Sequence, residues 1–355
     1  MRKKLMPFFL LSLFILTMGS CQKQNENSAN QTQIITDMAG RDVTVPLQID
    51  KVFSTNPIGT IFMYTIAPEK IVAWNYALND VEKEYVLSSY QNLPIYGRDD
   101  GVNYEAVLAS NADIILVYFQ TVNDKLFSDI AYLEETLHLP IIAIKGGLAD
   151  AHETYEFLGR LLGMEDEGNK RAEYIQNLFT AANNMNVENP ITLYYGDGQL
   201  SLETTAVNSA SAQELVFAKV NNVADVNLES ESRVLISTEQ ILAWNPEIVI
   251  LNGDPSKNFS QDTAVADFMA NPLYQNIEAV KNGKVYGVPK TPFSWVGRPI
   301  GPNRLIGIQW ISSLAYPELQ EKNLDDTVKE FYRLFYHIDL TDEDMQKIYK
   351  ANNTL

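Results

Sequence analysis

Short apolar runs alternate with longer amphipathic stretches along the chain from residue 51 onward. Such alternation predicts an α/β layer on a mostly parallel sheet, because buried parallel strands read as apolar runs and the helices between them carry one apolar face. The predicted strands are 52–53, 71–74, 113–118, 140–144, 191–195, 247–251 and 285–288. The predicted helices are 58–66, 79–89, 122–136, 211–219, 238–244, 263–270 and 301–315.

One helix–turn–strand unit occurs twice in the sequence. Residues 105–116 align without gaps on residues 239–250, and Glu, Leu, Ala, Asn, an acidic residue and Ile recur in register. Any unit of this type can look similar, but six matched positions at one spacing make chance alone a weaker explanation. The repeat therefore predicts two lobes of the same plan.

A long helical segment separates the two predicted lobes. One pattern at 151–162 ends at Gly163, and a second at 165–184 has an apolar stripe and no proline. A helix of about twenty residues spans roughly 30 Å, so the second pattern predicts a stiff strut, with an ordinary crossover helix as the alternative. The predicted segments are an N-terminal lobe, a helical connection and a C-terminal lobe with terminal helices, at 34–149, 150–188 and 189–355.

Composition excludes several classes of function. The chain carries 27 Lys and Arg against 45 Asp and Glu, a net charge of −18, and has no basic stripe that could follow a nucleic acid backbone. Its single cysteine rules out a disulfide framework and cysteine-cluster metal sites. Three scattered histidines argue against a histidine-rich site for a bare transition-metal ion.

The N-terminus has the pattern of an export signal. Residues 1–20 combine three basic residues with an apolar stretch that is too short to span a bilayer comfortably. The signal ends at Gly19 and Ser20, and Cys21 follows, which resembles the lipobox of bacterial lipoproteins. We therefore expect lipidation at Cys21, a flexible polar tether over 21–33 and an extracytoplasmic chain anchored to a membrane by lipid. An ordinary secretory signal is the alternative.

Several motifs together carry a wider family resemblance. They are Asp-Met-Ala-Gly-Arg-Asp-Val-Thr-Val-Pro at 37–46, the two Glu-x-x-Leu-Ala units, Phe-Met-Ala-Asn-Pro at 268–272, Ala-Val-Lys-Asn-Gly-Lys-Val-Tyr at 279–286, and Pro317 after a helix containing Trp310. In order and spacing the chain resembles the class III substrate-binding proteins of bacterial ABC importers over roughly residues 36–350. The resemblance implies two Rossmann-like α/β lobes, a single long rigid helix between them and a ligand cleft between the lobes.

The resemblance also implies a partner and a docking surface. In this family one surface glutamate on each lobe docks onto basic residues of a dimeric membrane permease, and the matching positions are Glu105 and Glu239. The alternative is a purely local role, because an acidic residue near a helix N-terminus is favourable. We expect a monomer that is not an enzyme and has no cofactor of its own.

Candidate cleft residues lie on loops that follow strand ends, where open α/β sheets bind ligands. Aromatic side chains offer rigid apolar contact, and arginine offers a fork for a carboxylate, catecholate, phosphate or oxyanion. Trp295 and Arg298 form the leading pair, because Pro292 and Pro299 bound their loop; a structural ion pair is the alternative role for Arg298. The full set of expected ligand contacts is Asn56, Trp74, Arg98, Tyr118, Tyr195, Trp295 and Arg298.

These observations favour a receptor that delivers an iron(III) chelate, such as a siderophore, to its permease. The same role for molybdate, tungstate, haem or cobalamin stays open. A secreted hydrolase is the alternative from another class, but the sequence has no Gly-x-Ser-x-Gly or His-Glu-x-x-His motif and no histidine at a predicted strand tip. An adhesion or scaffold lipoprotein is a third class, in which a repeated docking glutamate has no obvious place.

Overall fold

The computed structural model describes residues 31–226, 233–254 and 260–350. The predicted export signal, the lipidation site Cys21 and nearly all of the predicted tether lie outside the described residues. Within the described ranges, no helix combines the length and the apolarity needed to cross a membrane.

The first lobe is built on a parallel sheet in the order β3-β4-β5, preceded by the antiparallel hairpin β1-β2. Its elements are β1 (Thr32–Thr36), β2 (Asp42–Pro46), β3 (Val52–Ser54), α1 (Pro57–Ile66), α2 (Asp80–Glu84), α3 (Tyr104–Ala109), β4 (Ile114–Phe119), α4 (Asp124–Leu137) and β5 (Ile141–Lys145). The predicted strand 71–74 is reduced to isolated bridges, because Ile71 pairs with Val52 whereas Trp74 pairs with Ile95.

Two helices connect the lobes, α5 (Ala151–Leu162) and α6 (Glu165–Asn184). Gly163 adopts a left-handed conformation that ends α5. The helices then approach closely through Gly159 and Gly168: a Cβ on Gly168 would lie 2.5 Å from the carbonyl oxygen of Tyr155 and 2.9 Å from the Cα of Gly159. This close approach packs α6 along α5, and α6 itself runs without a break over its twenty residues.

The second lobe repeats the plan with a parallel sheet in the order β11-β10-β6-β8. Its elements are β6 (Thr192–Gly196), β7 (Glu203–Thr204), α7 (Gln213–Phe217), β8 (Asn221–Asn222), β9 (Val234–Leu235), α8 (Thr238–Trp244), β10 (Ile248–Leu251), α9 (Gln261–Ala270), α10 (Glu278–Lys281), β11 (Val285–Gly287) and α11 (Arg304–Ala315). The last elements of the described residues are α12 (Leu324–Phe331), a π-helical turn (Tyr332–Tyr336) and α13 (Asp342–Ile348). The α/β class and the two-lobed fold predicted from the sequence are confirmed.

The last helices return to the first lobe, although the sequence assigned them to the C-terminal one. The hydroxyl of Tyr64 on α1 lies 3.4 Å from the carbonyl oxygen of Tyr336. Arg171, buried on α6, donates to the carbonyl oxygens of Thr65 on α1 and Leu334 in the π-helical turn, at 2.7 and 2.8 Å. One continuous apolar core therefore runs through both lobes and the C-terminal helices.

Candidate functional site

A cleft of about 800 Å³ lies between the two lobes. Its walls come largely from loops that follow strand ends, as expected for α/β sheets. From the first lobe it is lined by Asn56, Pro57, Ile58, Tyr76, Glu82, Arg98, Asp99, Tyr118 and Gln120. From the second lobe it is lined by Asp197, Arg233, Asn252, Asp254, Lys290, Phe293, Ser294, Arg298, Pro299 and Ile300.

Two arginines face the cleft without a charged partner. Arg98 comes from the first lobe and Arg298 from the second, and both side chains are exposed. Neither makes an ion pair or a hydrogen bond with its side chain to any residue in the described ranges. Their guanidinium groups are therefore available, on opposite walls, to an anion that enters between the lobes.

The other two cationic side chains of the cleft, Arg233 and Lys290, have partners within the protein. Arg233 pairs with Asp197 at 2.5 Å and with Glu203 at 3.4 Å. Lys290 donates to the carbonyl oxygen of Asn252. Burial lowers the pKa of Lys290 to about 8, and the neighbouring carboxylates oppose that shift only in part.

Asp197 connects several side chains and backbone groups of the second wall. Its carboxylate accepts from the backbone N–H of Gly198 at 2.9 Å, the amide of Asn252 at 3.2 Å and the hydroxyl of Tyr195 at 3.3 Å, besides its pair with Arg233. A carboxylate with this many donors is fixed in place and fully engaged. It therefore orients Arg233 at the cleft and leaves little negative charge free to repel an anion.

The two acidic residues among the lining of the first wall both accept hydrogen bonds. Asp99 accepts from the side-chain amide of Asn56 at 2.7 Å. Glu82 accepts from the backbone N–H of Asn79 at 2.7 Å in a capping box at the start of α2, and burial raises its pKa. The cleft thus contains four carboxylates and four cations among its lining residues. Arg98, Arg298 and Asp99 are exposed and make no ion pair within the described ranges.

A buried ion pair holds the loop that carries Arg298. Arg304 and Glu214 contact each other with both side chains fully buried, and the other carboxylate oxygen of Glu214 accepts from the backbone N–H of Gly297 at 2.7 Å. On the far side, the side-chain amide of Asn303 donates to the carbonyl oxygen of Pro299 at 3.1 Å. The loop is therefore fixed immediately before and after Arg298.

The structure brings four of the predicted ligand contacts together in the cleft wall. They are Asn56, Arg98, Tyr118 and Arg298. Asn56 also caps α1 by accepting from the backbone N–H of Ile58 at 3.0 Å.

Three predicted contacts lie beneath the wall instead. Trp295 is fully buried and packs edge-on against Trp310 and Tyr332, because its loop folds inward over α11. Trp74 is 3% exposed and donates through its indole N–H to the carbonyl oxygen of Tyr90. Tyr195 lies inside strand β6 and not after its end. These three side chains support the cleft wall from beneath.

Sequence reasoning missed several lining residues. Asp197 lies one residue after β6, on a loop that the sequence places at the cleft, although the set of expected contacts leaves it out. Lys290 lies three residues after β11, where the expectation that ligands bind at loops after strand ends could have found it. Arg233 follows no predicted strand, and only the pairing of β9 with β7 brings it to Asp197. No signal in the sequence pointed to it.

Both predicted docking glutamates lie outside the cleft, on exposed first turns. Glu105 belongs to α3 and Glu239 to α8. The N-caps are other residues, since the side chains of Asn103 and Ser237 accept from Ala106 N and Gln240 N. Both carboxylates are therefore exposed to solvent although they stand near helix N-termini.

Comparisons with known proteins agree with this architecture. Residues 66–292 match the family model described as periplasmic binding protein. The chain is 26% identical to an ABC transporter solute binding protein from Sulfurospirillum deleyianum, with a TM-score of 0.79, covering 89% of this chain and 99% of that one. An iron-uptake system-binding protein of Bacillus subtilis is 22% identical over 302 residues, 80% of this chain and 90% of the relative. The molybdate periplasmic binding protein of Haemophilus influenzae shares the fold, with a TM-score of 0.63, 20% identity, and coverage of 87% of this chain and 99% of that one.

Proposed function

Because the chain belongs to the periplasmic binding protein family and is the extracytoplasmic substrate-binding protein of an ABC importer, we propose that its ligand is an anionic iron(III) chelate of the siderophore class. It is a binding protein and not the hydrolase considered as an alternative. The observation that carries the proposal is the pair of unpaired arginines, Arg98 and Arg298, on opposite walls of the cleft. An anion that binds both arginines would be enclosed between the two lobes.

The size of the cleft favours a chelate over a small oxyanion. Sites of about 300–1,000 Å³ suit ligands of drug-like size, and this cleft is about 800 Å³. A tetrahedral oxyanion would leave most of that space to water. Tyr76, Tyr118 and Phe293 add flat apolar surface, which suits the aromatic or aliphatic body of a chelator.

The donor set favours a metal that arrives already chelated. Among the described residues, no group of three or more His, Cys, Asp or Glu side chains is placed to hold a metal ion. The iron-uptake relative from Bacillus subtilis supports the same ligand class. Molybdate is the second candidate, supported by the Haemophilus influenzae relative, and tungstate, haem and cobalamin complete the set to be tested.

A titration panel tests the proposal. The purified chain is titrated by tryptophan fluorescence and calorimetry with ferric tricatecholate, ferric trihydroxamate, ferric citrate, molybdate, tungstate, haem and cobalamin. We expect the lowest Kd for a ferric chelate, and mass spectrometry of the protein as purified should find a co-purifying chelator. Tight binding of molybdate with no response to any iron complex would contradict the iron assignment.

We also propose that the mature chain is anchored by lipid at Cys21 and docks on a permease through Glu105 and Glu239. The lipobox-like residues before the single cysteine support the anchor. The Cys21→Ser chain should leave the membrane fraction and lose incorporation of radiolabelled palmitate. Unchanged retention in washed membranes would mean that another segment holds the protein.

A further inference from the structure

The two copies of the sequence repeat also share one pattern of side-chain exposure. From Asn103 to Asp113 and from Ser237 to Glu247, the order of exposed, half-buried and buried side chains is the same at every position. In both units a side-chain N-cap precedes the helix and an asparagine in the left-handed region follows it, Asn111 at φ 54° and Asn245 at φ 42°. The two lobes therefore present one surface twice.

The identical residues in these units are concentrated on the solvent side. After the N-caps, the exposed positions are Glu, Leu, Ala and Asn in both lobes: Glu105, Leu108, Ala109 and Asn111 in the first, and Glu239, Leu242, Ala243 and Asn245 in the second. The buried positions of the two helices and turns differ: Val107 corresponds to Ile241 and Ala112 to Pro246. A repeat maintained by packing alone would show the opposite distribution, because core positions are the most constrained in volume.

The leucine is the residue that needs an explanation. Leu108 is 45% exposed and Leu242 is 37% exposed, each three residues after the glutamate and so on the same face of its helix. A single exposed leucine is ordinary on a protein surface. The same exposed leucine beside the same glutamate on both lobes points to a contact that is made twice.

We infer that each docking surface has two parts, in which the glutamate meets a cation and the leucine, with the alanine beside it, enters an apolar pocket next to that cation. The inference rests on the proposed function. Its partner is a permease with two-fold symmetry, because a surface repeated on one chain fits a partner that offers its complement twice. The apolar half limits dissociation, whereas the charged half speeds association.

Measurement of binding to the permease tests the leucines separately from the glutamates. The cognate permease is held in nanodiscs, and association is followed by surface plasmon resonance at several salt concentrations. The variants are Leu108→Ala, Leu242→Ala, Glu105→Gln and Glu239→Gln. Leu319→Ala is the matched control, since Leu319 is 40% exposed and lies outside both surfaces and the cleft.

Each leucine variant should weaken binding about fivefold to thirtyfold, mainly through faster dissociation, and keep the salt dependence of the wild type. The glutamate variants should slow association and flatten the salt dependence. All variants should keep the wild-type Kd for the chelate that binds best in the panel above. If Leu108→Ala and Leu242→Ala behave like Leu319→Ala while the glutamate variants bind weakly, the two-part surface is overturned and the receptor function stands. A wild-type chain that binds no permease overturns both.

Discussion

Arg298 is the residue on which ligand recognition depends most. Its loop is fixed through Gly297 and Pro299, so the side chain is presented with little loss of conformational freedom on binding. A charge-assisted hydrogen bond contributes roughly 1.5–3 kcal/mol, so Arg298→Ala should raise the Kd about tenfold to a hundredfold in calorimetry. Arg298→Lys should recover only part of the affinity, because lysine lacks the bidentate fork.

The matched control is Arg160→Ala. Arg160 is an exposed arginine on α5, away from the cleft, and its loss should leave the Kd unchanged. An Arg298→Ala chain with unchanged Kd and a lower Tm would instead assign that arginine to the stability of the loop.

Lys290 should make the affinity depend on pH. Its pKa is lowered to about 8, so the ammonium group is charged at pH 7 and loses its charge as the pH rises through that value. Arg233 adds to the shift, whereas Asp197 and Asp254 oppose it. For an anionic ligand whose own charge is constant, the Kd should therefore rise by up to about tenfold between pH 7 and pH 9.

The Lys290→Met variant isolates this effect. It should bind more weakly than the wild type at pH 7, and its Kd should change little up to pH 9. A wild-type Kd that stays constant over this range would show that the ligand does not approach Lys290.

The expectation that ligands bind at loops after strand ends accounts for the site residues that the sequence could predict. Asn56 lies two residues after the end of β3, and Arg98 and Arg298 lie on loops bounded by glycine or proline. Trp295 sits on one of the same loops, but a large apolar side chain finds more burial inward, against Trp310, than in an open cleft. Local sequence does not encode which way a loop residue turns.

The hairpin of α5 and α6 connects the two lobes, and its helices pack closely through glycine. A methyl group on Gly168 would approach the backbone of Tyr155 and Gly159, which cannot move aside as a flexible side chain would. Gly168→Ala should therefore lower the free energy of unfolding by about 1–3 kcal/mol, measured from urea denaturation. Gly101→Ala is the control, because a Cβ there meets no atom within 4 Å.

Elements with a long, uninterrupted pattern were predictable, and those that depend on distant pairing were not. The helix bounds of α5 and α6 coincide with the patterns at 151–162 and 165–184. Helix α2 ends at Glu84, short of the predicted 79–89, because Tyr85 and Val86 turn into the core beside the C-terminal helices. That contact is made by residues more than two hundred positions away, which no local pattern contains.

For the whole molecule, the shared core predicts a small amplitude of closure. Arg171 joins α6, α1 and the C-terminal turn through buried hydrogen bonds, and the apolar core is continuous across both lobes. Packed interiors resist continuous deformation. X-ray scattering profiles with and without the bound chelate should therefore nearly superimpose. A clear decrease in the radius of gyration on binding would contradict a rigid connection.

The return of the C-terminal helices to the first lobe also bears on how the chain reaches its folded state. Tyr64 and Tyr85 of the first lobe pack against Tyr332 and Tyr336, and Arg171 finds an acceptor at Leu334. During synthesis these partners emerge after every residue of the first lobe, so that lobe cannot complete its packing until Tyr336 has left the ribosome. A lobe that stays incompletely packed until residues far along the chain appear is suited to passage through a membrane as an extended polypeptide, with folding completed on the other side.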